Sequence, residues 1–243
     1  MLPWAEGVAH AHSLAVALAW ATRLHQARRE FQVAQAYAET LRAFATERGF
    51  SYWLAEGTIL RGLALAKQGK AEEGIAQIRQ GLSAYRATGA TLGQPYFLSQ
   101  LAEAYGRSGR VDAGLKALAE ALVLVDKTGE HFYEAEIYRL TGELLLQRSV
   151  PEVPSGRGTR RVVRRPPRVA EAETCFHQAL AVARRQQAKS WELRVAMSMA
   201  RLWQQEGQRA QAHELLTSIY TWFTEGFDTA DLQEAKTLLE ILA

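Results

Sequence analysis

The chain has 243 residues, 48% of them apolar and 23% charged, with a formal net charge of +3. One cysteine, Cys175, excludes an internal disulfide framework and a cysteine-based structural zinc site. The positive charge is local: residues 150–168 hold six Arg against Glu152 and carry +5, which leaves −2 for the rest and excludes a basic nucleic-acid-binding body.

Abundant Ala and Leu, with almost no alternation of Val, Ile and Thr, predict an all-α fold. The first helix is expected at about 6–28. Its apolar run at 14–21 ends in Ala19-Trp20-Ala21, which imitates a signal-peptide cleavage site. No Lys or Arg precedes it, so it reads as an ordinary buried helix. No apolar run reaches the roughly 20 residues that span a bilayer, and a cytoplasmic protein is expected. Further helices are expected at about 31–47, 51–68, 71–87, 94–107, 111–127, 131–148, 169–187, 190–205, 209–224 and 229–242.

Glycines mark a period within this series. Gly49, Gly89 and Gly129 lie 40 residues apart, and Gly69 and Gly109 form a second series about half a period out of phase. Each glycine follows the last turn of a predicted helix, where a left-handed C-cap is wanted. Apolar positions recur with the same period: Ile75, Ile78, Leu82 and Tyr85 are matched by Leu115, Leu118, Leu122 and Val125. A repeat of this length implies stacked helix pairs, none of which can bury its apolar face alone. Gly62, Gly74, Gly81, Gly114 and Gly142 lie inside helices, each at a cost of about 1 kcal/mol against Ala, which is tolerable where a neighbouring backbone comes too close for a Cβ.

The fourth pair is interrupted. Residues 150–167 hold four of the six prolines and two glycines beside the arginines, and are expected to be a disordered insertion in a single repeat domain spanning 1–243. An electrostatic contact with RNA or an acidic surface is one reading of it. A tolerated loop insertion is the other, and no aromatic residue is interleaved to stack on bases. After the fifth pair, Gly226 and Asp228 read as a helix stop and an N-cap, and the last helix reads as a cap on the array.

Small residues at Gly62, Gly74 and Gly81, at Ala102, Gly114 and Ala121, and at Gly142, Ala172 and Ala179 around Phe176 resemble the tetratricopeptide-repeat superfamily, in a long-repeat variant. The stretches 93–109 (GQPYFLSQLAEAYGRSG), 128–146 (TGEHFYEAEIYRLTGELLL), 183–203 (ARRQQAKSWELRVAMSMARLW) and 219–240 (IYTWFTEGFDTADLQEAKTLLE) resemble the C-terminal repeats of bacterial signal-transduction ATPase and class III adenylate cyclase proteins. That resemblance implies a right-handed α-solenoid of about five helix pairs with a C-terminal capping helix. It also implies a non-enzymatic arm that binds a protein or peptide.

Among candidate chemistries, no phosphate-binding glycine loop occurs. His10, His12, His25, His131, His177 and His213 are scattered, with no zinc-binding spacing. No catalytic, cofactor-binding or metal residue is assigned, and no cofactor is expected. Glu134, Glu136 and Glu143 are read as solvated acids or partners of Arg139, and Trp53, Trp191, Trp203 and Trp222 as packing residues. The resemblance places the first helix of each pair along a concave groove, whose polar positions would be Gln100, Glu103, Arg107, Arg139, Glu143, Gln147, Arg194, Arg201 and Gln204. The same positions read equally well as a solvated face of intramolecular pairs. A small-ligand sensor and an RNA or acidic-surface adaptor stand as alternatives. Self-association through an exposed terminal repeat is a further expectation.

Overall fold

A computed structural model describes residues 11–148 and 166–243. They form eleven α-helices and one short 3-10 turn, with no strand among the described residues. The helices are α1 (Ala11–Ala27), α2 (Phe31–Arg48), α3 (Ser51–Lys67), α4 (Ala71–Ala87), α5 (Gln94–Arg107), α6 (Val111–Thr128), α7 (Glu134–Gln147), α8 (Pro167–Arg185), α9 (Lys189–Gln205), α10 (Arg209–Tyr220) and α11 (Ala230–Leu242). Boundaries fall close to those expected, with three differences, the first being that the helix expected at about 209–224 ends at Tyr220. His131–Tyr133 is a 3-10 turn before α7. The N-cap of α11 is the extended Thr229, not Asp228, and its hydroxyl donates to the Gly226 carbonyl at 2.6 Å. The expected insertion at 150–167 lies outside the described residues up to 165, and α8 opens with Pro167 at its first turn, where a missing N–H costs nothing.

The chain divides into two compact units: Met1–Arg110 with Ala119–Glu130, and Val111–Leu118 with His131–Ala243. In the first, α1 packs on α2, α2 on α3, α3 on α4 and α4 on α5, while α1 also touches α3 and α3 touches α5. Leu41, Ile59, Leu60, Ile78, Tyr85 and Phe97 are fully buried there. The second unit repeats the scheme from α7 to α11, around a core that includes Phe176, Leu193, Ala196, Met199, Leu216 and Leu238.

Helical glycines are explained by contact. A Cβ on Gly62 would lie 2.9 Å from both the Gly74 carbonyl oxygen and the Ile78 nitrogen. One on Gly74 would lie 2.6 Å from the Gly62 carbonyl oxygen, so α3 and α4 meet backbone to backbone. In the second unit a Cβ on Gly142 would strike the Phe176 ring and sit 3.0 Å from the Ala172 carbonyl oxygen. The Gly142–Ala172 contact matches Gly62–Gly74, displaced by two periods and, for Ala172, by the 18 residues of the insertion as well.

The left-handed turns keep the period even where the residue changes. Gly49, Gly89 and Gly129 have φ between 68° and 80°, and the next slot is filled by Gln187 at 54°. Gly69 and Gly109 have φ of 89° and 75°, and the slot 40 residues earlier is Arg29 at 62°. Those two non-glycine residues hide the period from a reading of glycines alone.

Helix propensity favours Gly62→Ala by about 1 kcal/mol, whereas overpacking against fixed backbone costs roughly 1–3 kcal/mol. The second effect wins, so Gly62→Ala lowers the thermal midpoint in a calorimetric scan; an unchanged or raised midpoint would mean that α3 and α4 separate easily.

Candidate interaction faces

The odd-numbered helices carry the polar positions singled out by the sequence. In the first unit, Arg23 of α1 donates to Glu56 of α3 at 2.8 Å, and Glu56 is 2% exposed. Its guanidinium lies 5.2 Å from the centre of the Trp20 ring, 5.5 Å from Tyr96 and 5.6 Å from Phe97. The Tyr85 hydroxyl donates to the Leu92 carbonyl at 2.7 Å and stands 3.1 Å from the Tyr52 hydroxyl, while the Tyr96 hydroxyl donates to Gln26 Oε1 at 2.8 Å. Burial pushes the Glu56 carboxyl above its usual range, against the opposing pull of Arg23 and Tyr52. Burial likewise raises Tyr85 and Tyr96.

Of the expected groove residues in this unit, Gln100 is half-buried on α5. Glu103 is held by Lys67 of α3 and lies 3.4 Å from Arg107, which is half exposed. Glu103 therefore ties together two A helices, the first members of the successive pairs (α1, α3, α5, α7 and α9), and Arg107 offers the outward charge.

In the second unit, Arg139 is 12% exposed and grips Glu136 with two bonds, at 2.6 and 2.7 Å. It also donates to Glu143 and, at 3.1 Å, to Ser198 of α9; Ser198 in turn donates to Glu143 at 2.8 Å. Glu136 and Glu143 are thus partners of Arg139, one of the two readings of their spacing, whereas Glu134 lies 3.0 Å from His131 and 3.4 Å from Arg185 instead. Arg194 pairs with Asp231 of α11 at 2.7 Å and stacks 5.0 Å from the Trp191 ring. Burial acts to lower its pKa, but Glu136 and Asp231 hold it raised. Arg201 pairs with Glu234 of α11, Gln204 is half-buried and Gln147 is exposed.

Two features were not legible beforehand. Glu56 is a buried carboxylate inside an apolar helix, and the one available signal was a lone acid in the run SYWLAEGTIL. The other is an open cavity of about 680 Å³ lined by Arg184, Gln187, Lys189, Glu192, Ser218, Ile219 and Trp222. Lys189 pairs with the buried Glu192 at 2.8 Å and lies 5.8 Å from the Trp222 ring. Trp222 is 58% exposed, unlike Trp203, which is buried and donates to Glu173 at 2.7 Å. The expectation that all four tryptophans pack fails at Trp222, because the chain ends helix α10 just before it.

No protein-family model matches the chain. An uncharacterized protein of Rhizobium meliloti (strain 1021) is 25% identical over 139 residues, which are 57% of this chain and 14% of that protein. Two crystal structures of TPR-like repeats attributed to a Podosopora anserina putative kinesin light chain, described as nearly identical repeats, superpose with TM-scores of 0.55 for a single-substitution form and 0.56 for the other. Both are 18% identical, and they cover 84% and 88% of this chain and 92% and 96% of theirs. The fold is a tetratricopeptide-like α-solenoid.

Salt bridges join successive A helices, Arg23 to Glu56 and Lys67 to Glu103, and join α9 to the last helix α11, Arg194 to Asp231 and Arg201 to Glu234. Among the described residues no three His, Cys, Asp or Glu side chains come together to hold a metal. No helix described is long and apolar enough to cross a membrane. Cys175 is half-buried, and burial followed by Glu171 raises its thiol pKa, so little of it is thiolate at neutral pH.

Because the folded pKa of Glu56 is raised above the ordinary 4.5, the native state binds more protons than the unfolded chain between those two values. Stability then falls as pH rises through that window. Urea titrations at a series of pH values are expected to show this loss in the wild type and not in Glu56→Gln; parallel curves would mean that Arg23 fully compensates the buried charge.

Proposed function

We propose that the chain is a non-enzymatic scaffold whose A helices bind a protein or an extended peptide. In this reading it serves as a regulatory or assembly arm of a cytoplasmic bacterial signalling ATPase or cyclase. The observation that carries the binding role is the set of cross-repeat salt bridges. They fix charged side chains in place before any partner arrives, and fixed side chains lose less entropy on binding. Arg107, Gln147, Arg201 and Gln204 keep exposed or half-exposed polar heads, which suit the carboxylates and backbone carbonyls of a peptide. The signalling context is supported by the four stretches quoted above.

A sensor role for a small ligand is the second reading, favoured by the cavity beside Trp222. Its exposed ring and the Lys189 ammonium would take an aromatic anion. An adaptor role for the Arg-rich insertion concerns residues outside those described.

Arg139→Glu is a poor probe of the face, since it would leave Glu136 and Glu143 without their cation inside the fold and cost roughly 3–5 kcal/mol. Arg107→Glu combined with Arg201→Glu reverses exposed charge at modest structural cost. In a bacterial lysate pull-down this double variant is expected to lose the partners held by the intact chain, while deletion of residues 150–167 retains them. Partners lost only with the deletion would transfer the role to the insertion, and partners kept by both variants would refute binding along the A helices.

A further inference from the structure

The repeat supplies a comparison for the cavity beside Trp222. Its residues correspond to the third helix pair at a distance of 98 residues, the same step that carries Gly89 to Gln187 and Gly109 to Gly207. Arg184, Glu192 and Ser218 thereby correspond to Arg86, Gln94 and Glu120. In the third pair the slot is full. Arg86 donates from Nε to Gln94 Oε1 at 3.0 Å and from a terminal nitrogen to Glu120 Oε1 at 2.6 Å, so a carboxylate from α6 sits on the guanidinium. In the fifth pair the arginine is kept and that carboxylate is gone. Ser218 is too short to replace it, and its hydroxyl donates to the Leu215 carbonyl at 2.7 Å. Among the described residues Arg184 has one acid near it, Glu192, at 3.8 Å, which is beyond a hydrogen bond, and Lys189 already holds Glu192 at 2.8 Å. The open cavity of about 680 Å³ is lined by Arg184 and Ser218, where the third pair has its ion pair.

Taking the sensor reading of this cavity as the basis, we propose that it binds a small aromatic carboxylate, whose charged end takes the place on Arg184 that Glu120 takes on Arg86. Charge favours an anion. Arg184 and Lys189 bring two cations to the cavity against the single buried Glu192, an excess of one, whereas Arg86 and Glu120 balance. A guanidinium can give a carboxylate two parallel hydrogen bonds, and the Nε of Arg184 is the nitrogen nearest Glu192. Shape favours a ring. Trp222 lines the same cavity with its indole 58% exposed, the Lys189 ammonium lies 5.8 Å from the ring centre, and Ile219 adds an apolar wall. The residues 98 positions before Trp222 and Lys189 are Leu124 and Thr91, so the ring and the second cation occur only where the carboxylate is missing. The volume lies within the roughly 300–1,000 Å³ of small-molecule pockets.

Saturation-transfer NMR titrations of the full chain with phenylacetate, phenylacetamide and acetate test this. Phenylacetate is expected to bind saturably, about tenfold or more tighter than phenylacetamide, which keeps the ring and lacks the charge, and tighter than acetate, which lacks the ring. Ser218→Glu returns to the slot the side chain of the third pair, and it should abolish phenylacetate binding. Arg184→Gln should do the same, and Trp222→Leu should remove the preference over acetate. Ser218 and Arg184 are exposed, circular dichroism checks folding, and if one of these two variants is misfolded the other decides. Phenylacetamide binding as tightly as phenylacetate overturns the carboxylate and leaves the sensor reading with an uncharged ligand. Binding of neither overturns both. Phenylacetate binding that survives Ser218→Glu and Arg184→Gln overturns the site.

Discussion

The backbone contact between α3 and α4 at Gly62 and Gly74 is the constraint on which the remaining geometry rests. Two helices brought this close leave no room for a Cβ on either side. In return, their carbonyls and Cα–H groups come within reach of weak hydrogen bonds. The separation of a pair then sets where the next A helix lies, and with it which polar side chains meet across the repeat. Dense interiors transmit such dimensions because they hardly compress. The same contact at Gly142 and Ala172 uses a small side chain on one helix only, and there Phe176 takes the space over the glycine.

Charge placement follows from that spacing. Glu56 and Glu136 occupy equivalent slots 80 residues apart, and both are nearly inaccessible. They are neutralised differently. Glu56 takes its cation from the preceding A helix, whereas Glu136 takes Arg139 from one turn further along its own helix. A buried ion pair adds little net stability over an apolar pair of the same volume, but breaking half of it is costly, so it penalises a slipped register. The first arrangement fixes one helix against another, and the second stiffens a single helix, with Ser198 relaying it to α9.

Helix number, helix limits and the pairing of helices were legible because apolar period, glycine position and turn residues agree in this chain. The in-helix glycines carried most of the information, since a destabilising residue repeated in register needs a steric reason. The proposed binding face was legible only as a set of polar positions. Spacing along one helix gives Arg139 with Glu136 and Glu143, but Lys67 with Glu103 and Arg201 with Glu234 join residues 36 and 33 apart in sequence. Those partners depend on how far each A helix is rotated about its axis, which the hydrophobic pattern leaves loose by a residue. Arg29 and Gln187 were invisible for a different reason. Their left-handed conformation is imposed by the turn, at a cost of about 1–2 kcal/mol, and nothing in their side chains announces it.

Helices α7 and α8 meet in the same register as α3 and α4 although 18 residues more separate them in sequence. Their docking is therefore matched by the two surfaces, and lengthening a connection between two such helices adds a loop-closure entropy that grows only slowly with length. The pair behaves like a small intramolecular complex with a high effective concentration. Such a junction is where evolution can lengthen or exchange sequence without renegotiating the repeat. It is also where two separately made halves of this chain would have the chemical information to find each other.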